Sequence, residues 1–165
     1  MWAWLFQRPA LSDIHWSLKA ALIGILAAIS PFVFFLWTLN SKLQAFSHHR
    51  NLLDSLLRPL FGKWSILQLL VISVIAGISE EAFFRGAIQG SLADRVGVSI
   101  ALVMVSLLFG AFHLITWAYA IIAAFIGAYL GCLWIWTGNL LTPMITHALY
   151  DFAALVYFLR VYRRR

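Results

Sequence analysis

Charge is scarce in this chain: 11% of its 165 residues are Asp, Glu, Lys or Arg, and only six are acidic. Soluble domains carry about a quarter of their residues charged. With 63% hydrophobic residues and a mean hydropathy of +0.90, the sequence therefore excludes a soluble globular class and reads as an integral membrane protein. Cysteine is nearly absent. Cys132 stands alone in an apolar run, which rules out an internal disulfide and a thiolate metal cluster. There is no internal repeat, no low-complexity tract and no barrel-type alternation of apolar and polar residues. The opening "MWAWLFQRPALSDIHW" lacks a basic stretch followed by an apolar core, so no signal peptide is expected. A net charge of +6 could suggest nucleic acid, but the basic residues sit beside hydrophobic runs, where retention on the cytoplasmic side accounts for them; no nucleic-acid partner is expected.

What is present is long apolar sequence. From Val96 to Tyr150 there is no Asp, Glu, Lys or Arg, and as one helix this stretch would measure ~80 Å against a hydrocarbon core of ~30 Å. It must cross about three times. Ala20 to Leu39 supplies another span, and Ser65 to Ser79 begins one that runs into two glutamates. The expectation is an all-α, polytopic bundle of about five spans, because open strands cannot satisfy their backbone in lipid. The helices are placed at 18–39, 64–90, 98–115, 118–136 and 140–160. Gly138 and Asn139 suit a helix end and Pro143 a first turn, whereas the break around "LITWA" rests on length alone. Gly127 and Gly131 form a small-xxx-small pair suited to close packing.

Four regions follow. Residues 1–17, with Trp2, Trp4 and Trp16 beside Arg8 and Pro9, suit the headgroup layer of the bilayer. Residues 18–63 hold the first span and a basic linker, in which "NLLDSLLRPLFGKW" reads as an amphipathic surface helix interrupted by Pro59. Residues 64–160 form the chemistry-bearing core, and 161–165 a basic tail. With five spans, linker and tail share a side carrying Lys42, Arg50, Arg58, Lys63, Arg160, Arg163, Arg164 and Arg165, against Arg8, Lys19 and Arg95 opposite. That bias puts the C-terminus in the cytoplasm, with the inner membrane of a bacterium as the expected location.

Ionisable side chains within spans cost about 2.5–3.5 kcal/mol each at a helix centre and mark function by default. The candidates are Glu80, Glu81 and Arg85 on the second helix, His113 on the third, and His147 with Asp151 on the fifth. Glu81 and Arg85, four apart, share a face and can pair; Glu80 points about 100° away and must find partners on other helices. His147 and Asp151 also share a face. At ~1.5 Å per residue, Glu80, His113 and His147 lie ~15, ~22 and ~12 Å from helix ends on one side of the membrane. Similar depth would let them meet, in a site expected to open toward the loops near 90–97 and 137–139, outside the cytoplasm. A buried carboxylate beside an imidazole can take a proton from water, and a second imidazole can donate to a developing oxyanion, together hydrolysing a peptide bond. Glu80, His113 and His147 are equally zinc-ligand types. Polar glue between helices, or a small proton-coupled carrier, are the alternatives, the carrier disfavoured by the missing inverted repeat.

"EEAFFR" (80–85), "FGAFH" (109–113) and "HALYD" (147–151) resemble, in order, the EExxxR, FxxxH and HxxxN/D motifs of the CPBP family. That family comprises CAAX prenyl proteases of the Ras-converting type and the bacterial Abi proteins, which include bacteriocin-processing and self-immunity proteins. The resemblance covers residues 64–159. It implies a glutamate-type intramembrane endopeptidase acting on membrane-anchored polypeptides without a cofactor, in which Glu80 activates water with His113. Glu81, Arg85 and Phe109 would then support, and His147 with Asp151 would form the oxyanion site. Two departures stand out: position 151 is Asp, whose ionised form would repel an oxyanion, and five spans replace the eight usual in eukaryotic members. A zinc-dependent peptidase on Glu80, His113 and His147, and a noncatalytic scaffold or immunity protein, are the other readings of the same residues.

Overall fold

The computed structural model describes residues 9–162; Trp2, Trp4 and Arg8 of the opening segment and Arg163, Arg164 and Arg165 of the tail lie outside the described residues. Among those described, all regular structure is helical. The elements are α1 (Leu18–Ala27), α2 (Ile29–Asn40), α3 (Gln44–Phe61), α4 (Ile66–Glu81) with a π-helical continuation Ala82–Gln89, α5 (Gly90–Val96), α6 (Val98–Phe112), α7 (Trp117–Thr137) and α8 (Leu141–Val156), prolonged by a π-helical turn Tyr157–Val161. Four apolar stretches are long enough to cross a membrane: Leu18–Asn40, Ile66–Val96, Trp117–Thr137 and Leu141–Val161. The fifth passage, α6, has 15 residues and at ~22 Å falls short of a ~30 Å core, so one of its ends stops inside the membrane. Large side chains such as Leu67, Leu107, Phe125 and Trp136 face outward, as lipid contact requires. The protein is a multi-pass integral membrane bundle.

Local sequence sets these boundaries. Ser65 begins α4 with a capping box: its Oγ accepts from the Gln68 N–H, and the Gln68 side chain accepts from the Ser65 N–H. Thr116 caps α7 by accepting from the Tyr119 N–H at 3.2 Å. Gly138 ends α7 in the left-handed region at φ 61°, which a residue with a Cβ rarely adopts. Asn139 then starts α8, its Oδ1 accepting from the Leu141 N–H at 3.0 Å. Two expectations need correction. Helix α3 runs through Pro59 to Phe61 rather than breaking there; in the last turn the proline forfeits its own i→i−4 bond and only two helical residues follow it. Helix α6 stops at Phe112, not 115, since the His113 N–H turns back to Gly110 O in a tight final turn.

The first span packs into the core through polar contacts. Thr142 and Thr146 of α8 donate to Ala20 O and Gly24 O of α1 at 3.3 and 3.0 Å, and the Tyr129 hydroxyl of α7 donates to Ala27 O at 2.8 Å. At one end of the bundle, residues 9–17 lie as a strap: Leu140 N–H donates to Asp13 O at 2.9 Å, and Asn139 exchanges hydrogen bonds with the His15 backbone. At the other end α3 and the chain's end lock together. Arg58 donates to Tyr162 O at 3.0 Å with its guanidinium over the Phe158 ring, and Arg160 donates to Gly62 O and Trp64 O. Linker and C-terminal turn thus share one side.

Candidate active site

Adjacent carboxylates at the end of α4 part company. Glu81 is fully buried, while Glu80 keeps 31% of its side chain exposed, facing a cavity. Close approach of α4 to α8 makes this possible: a Cβ on Gly77 would come within 2.8 Å of Ala148 N and 2.9 Å of Met144 O. With the helices this tight, His147 reaches across and places Nδ1 2.8 Å from Glu81 Oε1. The same oxygen accepts from Arg85 Nη1 at 2.8 Å, and Arg85 Nη2 donates to Gly127 O of α7 at 2.7 Å. One buried carboxylate therefore ties three helices together, and Arg85 lies in the π-helical stretch, an irregularity often found at functional sites.

His113 sits just past the last turn of α6, where helical hydrogen bonding no longer holds it. Its Nδ1 is 2.8 Å from Phe109 O. A carbonyl only accepts, so Nδ1 carries the hydrogen and Nε2 presents a lone pair in the neutral ring. Nε2 lies 3.8 Å from Glu80 Oε2. The Phe109 ring stacks on the imidazole at 4.4 Å and also receives the Arg85 guanidinium at 4.8 Å. This single aromatic side chain separates the two polar groups and contacts both. On α8, His147 Nε2 faces Asp151 Oδ2 at 3.4 Å.

Glu80, His113, His147 and Asp151 line one cavity of about 230 Å³, closed further by Phe109, Tyr119, Ile122 and Tyr150. An apolar groove of about 250 Å³ adjoins it, sharing Tyr119, Ile122, Tyr150 and Asp151 and extending to Leu53, Leu57 and Phe61 of α3. Glu81, Arg85 and Phe84 seal the opposite direction, with all three buried. The site thus opens toward α3 and the C-terminal turn, not toward the loops near 90–97 and 137–139. His113 stands just past the end of α6, ~22 Å from its start as the depth estimate has it, but depth alone does not give the direction in which the cavity opens. Tyr119 and Tyr150 were missed in the sequence, since a tyrosine in an apolar run carries no cost that singles it out; only the fold puts their rings in the cavity wall.

Among the described residues no group of three or more His, Cys, Asp or Glu side chains is placed to hold a metal ion. His113 keeps Nδ1 on Phe109 O and leaves Nε2 facing the cavity, whereas His147 has a carboxylate at each ring nitrogen.

Comparison with known proteins agrees with the motifs. Residues 62–153 match the sequence model of the family described as type II CAAX prenyl endopeptidase Rce1-like. YpbD of Bacillus subtilis (strain 168), an uncharacterized protein, is 33% identical over 97 residues, covering 57% of this chain and 47% of the relative. The matched stretch thus spans about half the length of that curated relative. No solved structure matches the chain. Since the family match spans more than half of the sequence and takes in Glu80, His113, His147 and Asp151 with the helices that carry them, the chain belongs to the Rce1-like family of type II CAAX prenyl endopeptidases.

Proposed function

We propose that the protein is an intramembrane endopeptidase that hydrolyses membrane-anchored polypeptides with a glutamate-activated water. The observation that carries this reading is the gap of 3.8 Å between Glu80 Oε2 and His113 Nε2 at the wall of a cavity that His147 also lines. A water bridging the gap can donate one hydrogen to Glu80 and the other to the lone pair of His113. Its oxygen attacks the scissile carbonyl as its proton passes to Glu80, and a C–O bond forms while the carbonyl π pair moves onto oxygen. His147 Nε2–H donates to that oxyanion. When the tetrahedral carbon collapses, the C–N bond breaks and Glu80 returns the proton to the leaving amine.

Asp151 has a consistent place in this scheme. With Glu81 on Nδ1 and Asp151 beside Nε2, His147 has a carboxylate at each ring nitrogen, which favours hydrogens on both. Asp151 then charges and orients His147 rather than touching the oxyanion. The experiment that tests the function is processing of candidate membrane polypeptides in cells by wild type and by Glu80→Ala, read as fragments by mass spectrometry. Fragments that depend on Glu80 are expected; identical fragment patterns would overturn the reading.

No metal enters this scheme. Chelators are expected to leave the cleavage rate unchanged, and stoichiometric zinc whose removal abolishes cleavage and whose return restores it would replace the glutamate mechanism with a metal-dependent one.

Sidedness follows from joining the cavity's direction to the charge bias. The basic side holds α3 and the C-terminal turn, and the cavity opens there, so the substrate is cleaved at the cytoplasmic side of the membrane. A reporter active only in the cytoplasm, fused after Arg165, is expected to be active. A silent but well-expressed fusion would reverse the orientation.

A further inference from the structure

Catalysis with Glu80 and His113 needs the imidazole held in one orientation and one tautomer, yet α6 ends before it. His113 has φ −102° and ψ 18°, outside the helix, and 24% of its side chain is exposed. Phe109 fixes one face of the ring by stacking and fixes Nδ1 through its carbonyl. Both contacts come from Phe109 alone, on one side of the ring. A second ring meets it from another direction: Tyr119 packs against His113 with centroids 5.9 Å apart and planes at 70°.

The contact depends on the turn between α6 and α7. Thr116 accepts from the Tyr119 N–H at 3.2 Å, and this cap sets where α7 begins and hence where the phenol ring stands. The two rings lie six positions apart in the chain, and Ile115 N–H closes the turn by donating to His113 O at 2.8 Å. Tyr119 is also one of four residues shared by the cavity and the apolar groove. It therefore stands beside the histidine that faces Glu80 at 3.8 Å.

We infer that Tyr119 is a positioning residue for His113: the edge-to-face packing of the two rings across the α6–α7 turn keeps the Nδ1–H tautomer paired to Phe109 O and keeps Nε2 aimed at Glu80. The inference rests on the proposed role of His113, but it concerns the state of one imidazole in the resting protein and needs no turnover to be read. An imidazole released from these contacts exchanges between tautomers and loses the fixed Nε2 lone pair.

The test is 15N NMR of the intact protein in detergent with only its histidine rings labelled, His113 and His147 being assigned by single substitutions. Wild type is expected to show His113 with Nδ1 protonated and Nε2 bare, and a through-space cross-peak between the His113 and Tyr119 rings. Tyr119→Phe should keep the nitrogen pattern. Tyr119→Leu should shift both His113 nitrogens toward the averaged values of an exchanging ring, while the His147 signals, set by Glu81, stay in place. Unchanged His113 signals in Tyr119→Leu would overturn the inference. Should that variant lose the His147 signature, Tyr119→Met, ringless but similar in length, is read in the same way. A missing ring-to-ring cross-peak in wild type overturns the inference without any substitution. Loss of cleavage in Glu80→Ala fragments bears on the peptidase reading alone, so the two can fail separately.

Discussion

Glu80→Gln is expected to slow peptide hydrolysis by about 10²–10⁴-fold, the usual contribution of a positioned general base, with little change in KM and no loss of fold. The amide keeps the size of the carboxylate and can still hydrogen-bond a water, but it cannot take that water's proton. Fold is spared because no hydrogen bond within the protein depends on Oε2 and 31% of the side chain is exposed. Glu80→Asp is the informative companion. It keeps the base but withdraws it by one methylene from the 3.8 Å gap to His113, so it should recover part of the lost rate. The measurement is single-turnover cleavage of a membrane-anchored substrate, with thermal unfolding in detergent as the control. Full activity in Glu80→Gln would remove Glu80 from the chemistry and leave the scaffold reading standing.

The contrast between Glu80 and Glu81 shows what the sequence could convey. In an uncharged background each ionisable residue is expensive, so Glu80, Glu81, Arg85, His113, His147 and Asp151 could be picked out by type alone, and the four-residue spacing of Glu81 and Arg85 already implied a pair. Helix number was legible because hydropathy and length are one-dimensional quantities. Partners across helices were not. Whether His147 would meet Glu80 or Glu81 depends on how closely α4 and α8 approach, which Gly77 decides through a contact with α8 that spacing does not encode. The direction of the cavity was misjudged for a related reason. The depth of His113 along α6 was legible, but the side on which the cavity is walled off depends on how Glu81, Phe84 and Arg85 pack beneath it. Tyr119 stayed invisible because its value lies in a ring contact made by a turn that the sequence placed only by length.

Removing Arg85 should be the most damaging single change to the fold. Its guanidinium is fully buried between Glu81, Gly127 O and the Phe109 ring. Arg85→Met fills much of the volume but leaves Glu81 ionised, buried and short of its counter-charge, a change that typically costs about 3–5 kcal/mol. Among the described residues His147 is then the group left in contact with Glu81 to neutralise it, so activity is lost together with stability. The two losses can be separated with Glu81→Gln/Arg85→Met. That double variant removes both charges, and by the logic of a buried ion pair it should unfold at a higher temperature than Arg85→Met alone. It should not regain the cleavage rate, because His147 Nδ1 no longer donates to a carboxylate and the ring loses the partner that supports its positive charge. Thermal unfolding of wild type, both single variants and the double variant closes the cycle. Additive losses in that cycle would mean that Glu81 and Arg85 do not act as a pair, and the account of a carboxylate holding three helices together would fall with it.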